Sequence, residues 1–132
     1  MQRRALLTVG GGSLLGLAGC TYRTDEPAEP VLETISVRNR HTERHEIDVT
    51  VVERGETRFS QTYTVDPGSD ISEESPVDSS GHYLVTVVST ESEQEIDTTE
   101  YTDGDERCVI VRFEIGPSGG FNPPSVTSYQ EC

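Results

Sequence analysis

The chain has 132 residues, which is room for one domain of ordinary size and not for a second core. Hydrophobic residues make up 32% of it, so the core must be thin. Acidic residues outnumber basic residues by 24 to 10, and the formal charge is −14. Such a surface repels phosphate, which argues against nucleic-acid binding and against electrostatic docking to anionic lipid headgroups.

The first 19 residues have the three-part organisation of an export signal. Arg3 and Arg4 provide a basic start, an apolar run from Ala5 to Ala18 follows, and small residues precede Cys20. As a helix, the apolar run reaches roughly 21 Å and falls short of the ~30 Å hydrocarbon core of a bilayer. The sequence therefore predicts a signal peptide at residues 1–19 and not a membrane-spanning helix.

Two motifs in this segment resemble known processing signals. Arg3-Arg4, followed closely by Leu6-Leu7, resembles the twin-arginine motif, which directs proteins that have already folded to an export pathway. Leu17-Ala18-Gly19-Cys20 resembles the lipobox of bacterial and archaeal lipoproteins. By this resemblance Cys20 carries a thioether-linked lipid and becomes the mature N-terminus. We expect the protein to be held at the extracellular face of the cell membrane through this lipid.

The charged residues also indicate the salt concentration in which the protein works. All ten basic residues are Arg, and the chain contains no Lys. Without Arg3 and Arg4, 8 basic residues stand against 24 acidic ones, a balance of −16. This combination resembles the proteins of extreme halophiles, in which molar salt screens the repulsion among carboxylates.

Composition divides the remainder of the chain into three parts. Residues 20–30 form the lipidated N-terminus and a tether, because Thr21 to Pro30 is charged, contains proline and lacks periodicity. Residues 31–116 form the folded domain, and residues 117–132 form a C-terminal tail rich in Gly and Pro.

Alternation of apolar and polar residues predicts strands throughout the domain. Turn residues separate the strands, and no stretch between them is suited to a crossover helix. We therefore predict an all-β fold, an antiparallel β-sandwich of six or seven strands, in which the first two strands are neighbours. The predicted strands are Val31–Asn39, His45–Glu53, Thr57–Val65, His82–Ser89 and Arg107–Gly116, with weaker ones at Gln94–Tyr101 and Asp70–Glu73.

The segment from Asp78 to Val85 resembles the tyrosine corner of immunoglobulin-like sandwiches. In that motif a Tyr near the start of a strand bonds its hydroxyl back to nearby backbone, and here the residue is Tyr83. The resemblance implies an immunoglobulin-like fold. The chain has no Trp and no Cys two residues after Tyr83, so we transfer the fold class and no functional residue.

Cys108 and Cys132 remain once Cys20 is assigned to the lipid. An even pair of cysteines in an exported chain predicts a disulfide, which would pin the tail to the last strand. Two free thiols are the alternative.

We find no catalytic residues, no metal site and no cofactor motif. His41 and His45 are four residues apart and would share a face only on a helix, but the segment between them connects two predicted strands, so we interpret it as a solvated turn. Asp103 and Asp105 offer oxygen ligands for a weak calcium site, but we favour a polar turn before the last predicted strand. Ser residues are abundant, with no nucleophile elbow to single one out.

The sequence thus favours a non-enzymatic binding or structural domain at the cell surface, with a surface or envelope protein as its partner. The expected contact regions are the loop from Asp66 to Ser80 and the tail that carries Phe121. The alternatives are a surface lipoprotein that binds a small ligand or calcium and, less favoured, a small hydrolase.

Overall fold

The computed structural model describes residues 29–102 and 105–132. The predictions for Arg3, Arg4, Cys20 and Asp103 lie outside these residues. Within them no helix is long and apolar enough to cross a membrane. The described elements are β1 Val31–Asn39, β2 His45–Glu53, β3 Glu56–Val65, β4 Asp70–Glu74, β5 Tyr83–Val88, β6 Glu93–Asp97, a 3-10 helix Thr98–Tyr101, β7 Cys108–Ile115 and β8 Ser125–Tyr129.

The strands form two sheets of four, with the orders β4-β1-β7-β8 and β3-β2-β5-β6. The predicted all-β sandwich is confirmed. The described residues form eight strands where the sequence predicts six or seven, because β8 lies in the segment interpreted as a tail. This strand was missed because Val126 is its only aliphatic residue, so it shows little apolar alternation.

Two details of strand pairing differ from the prediction. β1 and β2 lie in opposite sheets and are not neighbours. β1 instead pairs in parallel with β7, from Val31 opposite Cys108 to Asn39 opposite Ile115. No crossover helix is needed, because the chain between these strands builds the opposite sheet and the edge strand β4. Alternation shows which face of a strand is buried and does not reveal the strand's partner.

The core lies between the two sheets. Alternate residues of β1, β2, β5 and β7 point into it, as the sequence pattern predicts. Burial of each of these aliphatic side chains stabilises the fold by roughly 1.5–3 kcal/mol. The largest fully buried side chains are Tyr83, Phe113, Leu32, Ile35, Ile47 and Ile115.

The tyrosine corner is present at the end of the sandwich where the chain enters. The Tyr83 hydroxyl donates a hydrogen bond to the backbone carbonyl of Ser79 at 2.6 Å. Nearby, the Gly81 amide donates to the carbonyl of Pro30, the residue before β1. We call this end, where Pro30 enters the sandwich, the tether end.

A disulfide joins Cys108 to Cys132 at the tether end, with the two Cα atoms 5.3 Å apart. Cys108 is fully buried at the start of β7, whereas Cys132 is exposed. The bridge closes a segment of 24 residues that includes β8. It holds the end of the chain beside the point where β1 begins.

Candidate binding surface

Four loops meet at the end of the sandwich opposite the tether end. β1 starts beside Pro30 and runs the length of the sheet, so the loop that follows it opens at the far end. The loops between β3 and β4, β5 and β6, and β7 and β8 open at the same end. We call these four segments, residues 40–44, 66–69, 89–92 and 116–124, the loop surface.

A buried asparagine fixes two of these loops. Asn39 is fully buried, and its side-chain amide donates to the carbonyls of Glu43 at 2.8 Å and Val65 at 2.9 Å. Its side-chain oxygen accepts from the His41 amide at 2.9 Å, and its own backbone amide donates to Ser69. Every polar group of this side chain is thereby engaged, as burial requires. The loops 40–44 and 66–69 are therefore held in one arrangement.

The two histidines meet beneath the first loop. His41 Nδ1 lies 2.8 Å from His45 Nε2, so one ring donates a hydrogen bond and the other accepts it. His45 belongs to β2 and is buried, and the His41 side chain is 15% exposed. The segment is a turn, as predicted, but these two rings are largely shielded from solvent, so the solvated interpretation is wrong for the side chains. The hydrogen bonds of the Asn39 side chain hold the following loop in a tight turn. This turn brings the rings of His41 and His45 together, whereas a continuing strand would separate them.

The other two loops pack against this pair and against each other. At Gly119, a Cβ atom would lie 2.7 Å from a carboxylate oxygen of Glu91 and 3.3 Å from the His41 ring. Its φ of +98° also favours glycine. The Phe121 amide donates to the Ser92 hydroxyl at 3.2 Å. Loop 116–124 is thus locked to loops 40–44 and 89–92.

The predicted contact regions lie only partly on this surface. Phe121 is half-buried and packs edge-to-face on Phe113, with the ring centroids 6.4 Å apart, so it anchors its loop. The segment 66–80 is divided, because β4 carries the chain back towards the tether end. Residues 66–69 belong to the loop surface, while Ser80 bridges to Val31 at the tether end.

The exposed part of the loop surface is charged, with both signs present. Arg44 and Asp66 form an ion pair of 2.7 Å between two loops, and both side chains are more than half exposed. Arg40 pairs with Glu114 at 3.5 Å, and Glu43 and Glu91 are exposed. Within the part of the chain that the structure describes, no group of three or more His, Cys, Asp or Glu residues could hold a metal ion. The loop surface is therefore polar, and hydrogen bonds between its loops hold it in place.

Comparison with known families identifies the fold. A model of the halobacterial Ig-like domain matches residues 43–130, about two thirds of the chain. The chain belongs to this family. The matched part of the Ig-like domain runs from the end of the first loop through β8, and β1 precedes it. No curated protein and no solved structure gives a match.

Membership in the halobacterial Ig-like family agrees with the tyrosine corner and with the acidic, lysine-free composition of the chain. An Ig-like fold suggests a domain that binds or supports and does not catalyse, because such sandwiches present loops on a rigid scaffold. Of the site residues predicted from sequence, the described structure brings together Cys108 and Cys132. Asp105 is exposed, and its predicted calcium partner Asp103 lies outside the described residues.

Proposed function

We propose that the protein is a lipid-anchored cell-surface protein whose Ig-like domain is a non-enzymatic binding module. Cys20 carries the lipid, residues 21–30 form the tether, and the loop surface faces a protein of the cell surface or envelope. The export signal with Arg3 and Arg4 delivers the chain.

The observation that carries this proposal is the opposition of the two ends. The tether enters at Pro30, and the loop surface lies beyond the far end of β1. A strand of nine residues spans about 30 Å, and the tether, if extended, reaches a similar distance. A chain fixed at Cys20 would therefore present the loop surface several tens of ångströms from the bilayer.

The charge of the domain supports the same orientation. Carboxylates outnumber basic residues by 24 to 10, so anionic headgroups repel the domain. At molar salt this repulsion acts over only ~3 Å. The lipid must therefore supply the membrane hold, while charge keeps the domain from lying on the bilayer.

Exchange of the lipid-bearing thiol tests the anchor. We expect Cys20→Ser to move the protein from the membrane fraction to the medium, because no other group would bind the bilayer. The matched control is the pair Cys108→Ser and Cys132→Ser, which removes the disulfide but keeps Cys20 and should leave the protein in the membrane fraction. Membrane retention of Cys20→Ser, or a mass spectrum with an unmodified Cys20, would overturn the proposal.

Site-specific crosslinking tests the binding face. A photo-reactive residue at Glu43 or Glu91, both exposed on the loop surface, should capture surface proteins in intact cells. The same residue at Glu56, exposed at the start of β3 near the tether end, is the control. Equal capture from both ends would contradict a binding role of the loop surface.

A further inference from the structure

The free edge of β8 differs from the other three sheet edges. β4 and β6 each carry three acidic residues out of five, and β3 carries charged residues and pairs with β2 through a register shift. Charge and bulges of this kind prevent an edge strand from pairing with another chain. β8, Ser125-Val126-Thr127-Ser128-Tyr129, has neither charge nor proline, in a chain of which 26% is charged.

The backbone of β8 presents hydrogen-bonding groups at this edge. In β7 the carbonyl of Ile115 accepts from Arg40 on the β1 side, and the carbonyl of Glu114 accepts from Asn122 on the β8 side. Residues at even positions of β7 therefore face β8, and their partners Ser125, Thr127 and Tyr129 face back towards β7. The amides and carbonyls of Val126 and Ser128 point outward. β8 is the last strand of its sheet, so among the described residues no strand pairs with this edge, although the 3-10 helix Thr98–Tyr101 lies near β8.

An arginine lies across the outer face of this edge. Arg112 is exposed on β7 opposite Ser125, and its guanidinium donates to the Thr127 hydroxyl at 3.2 Å. It therefore extends over β8 towards the free edge. Adjacent strands lie about 4.8 Å apart, so a strand added to β8 would lie ~10 Å from β7. Side chains of Arg and Glu together cover that distance.

The cleft around Arg112 holds unpaired positive charge. It encloses about 350 Å³ and is lined by Arg112 and Ser125 together with Arg38 of β1. Four of the seven arginines in the described residues form an ion pair with a carboxylate within 4 Å. Arg38 and Arg112 form no such pair with a described residue. Of the two carboxylates in the cleft, Glu114 is already engaged by Arg40 and Asn122. The remaining charged groups of the cleft are the carboxylate of Asp70 and the guanidinium groups of Arg38 and Arg112. Together they give the cleft a net charge of +1 in a strongly acidic protein.

We propose that β8 accepts an extended acidic polypeptide as an additional antiparallel or parallel strand, with a carboxylate of that segment bound by Arg112. The backbone edge supplies pairing, and the cleft supplies selection for acidic side chains, as in strand-addition binding. The carboxylate is favoured over a phosphate because Asp70 opposes a dianion, and because a guanidinium matches a carboxylate with two parallel hydrogen bonds.

The proposed contact between Arg112 and a carboxylate of the added strand would also persist in molar salt. The Debye length is ~3 Å at 1 M, so long-range attraction is lost while contact hydrogen bonds to a charged group persist. This inference deepens the proposed binding role by naming the chemistry of a partner, and it does not depend on the lipid or the loop surface.

Peptide binding to the full chain carrying Cys20→Ser tests the proposal. The probe is a fluorescein-labelled peptide of five Thr-Glu repeats, and its neutral counterpart has five Thr-Gln repeats; both are titrated in 2 M KCl and followed by anisotropy. We expect the acidic peptide to bind about tenfold more tightly than the neutral one, a difference of about 1.4 kcal/mol. Arg112→Gln should remove this preference, whereas Arg54→Gln, an equal loss of charge in the turn after β2, should preserve it.

The edge itself is tested by proline. Ser128→Pro removes an outward amide and leaves the β7 ladder intact, so the fold should persist by circular dichroism while binding of both peptides is lost. Ser128→Ala keeps the amide and should bind as the parent does. Equal affinity for the two peptides, binding by Ser128→Pro, or no binding at millimolar protein would overturn the proposal. Self-association that Ser128→Pro abolishes would assign the edge to a second copy instead and would also overturn it. The fractionation and crosslinking results would stand in each case.

Discussion

Tyr63 on β3 donates a hydrogen bond from its phenol to the carboxylate of Glu73 on β4, and this bond joins the edge strands of the two sheets. Both side chains point towards the interior, since Tyr63 lies opposite the buried Ile47 and Glu73 opposite the buried Ile35. Burial, the hydrogen bond to Glu73 and the charge of Glu73 together raise the pKa of the Tyr63 phenol. The bond closes the open side of the sandwich.

The raised pKa predicts a loss of stability at alkaline pH. The folded state holds the phenol proton more tightly than the unfolded chain, so the contribution is complete below the ordinary phenol pKa of about 10 and declines above it. At pH 8, Tyr63→Phe should lower the free energy of unfolding by about 1 kcal/mol. The difference between parent and variant, measured by urea unfolding in constant salt, should shrink towards pH 11. A constant difference across this range would show that protonation of Tyr63 is not involved.

The tyrosine corner predicts a second loss of stability. Tyr83→Phe removes the hydrogen bond to Ser79 and leaves the buried ring in place, so the free energy of unfolding should fall by about 1 kcal/mol with no change in strand content. Tyr101→Phe is the matched control, because its side chain is 44% exposed, and it should have little effect. If the two variants were equally stable, the hydroxyl of Tyr83 would contribute nothing to the fold.

The histidine pair predicts a penalty at the loop surface. His41→Ala leaves the buried Nε2 of His45 without its partner, which should cost about 1–3 kcal/mol in thermal or urea unfolding. An Asn side chain places an amide near the position of the His Nδ1 atom, so His41→Asn should recover part of this loss. A double-mutant cycle with His45→Ala measures the coupling between the rings. Strict additivity would contradict the hydrogen bond.

The excess of carboxylates predicts unfolding on dilution of salt. Glu93 and Glu95 share the outer face of β6, and Asp48 lies two strands away in the row that contains Glu93. Lowering KCl from molar to ~0.1 M extends the Debye length from about 3 to 10 Å and restores repulsion among them. The melting temperature should fall steeply, and Glu93→Gln with Glu95→Gln should reduce that fall. A melting temperature that is indifferent to salt would contradict the halophilic interpretation.

Much of the fold follows from local sequence. Alternation identifies β1, β2, β5 and β7 with nearly correct ends, because a half-buried strand requires an apolar residue at every second position. Tyr83 was predicted to form the tyrosine corner, since its position at the start of a strand after a polar turn is specific.

Pairing and tertiary contacts could not be predicted in the same way. The parallel partnership of β1 and β7 depends on how the intervening chain folds, and β8 shows almost no apolar alternation. The contact between His41 and His45 depends on the turn set by the buried side chain of Asn39. The loop surface likewise results from strand order, which the pattern of single strands does not contain.

The parallel pairing of β1 with β7 has a mechanical consequence. In the proposed arrangement, with the anchor at Cys20 and a partner on the loop surface, pulling the partner away from the membrane would stretch the chain between residue 30 and the opposite end, along the axis of β1. The ladder from Val31 to Asn39 would then be sheared, with its hydrogen bonds loaded together and not opened one after another. In that arrangement the parallel ladder would resist tension applied along the first strand.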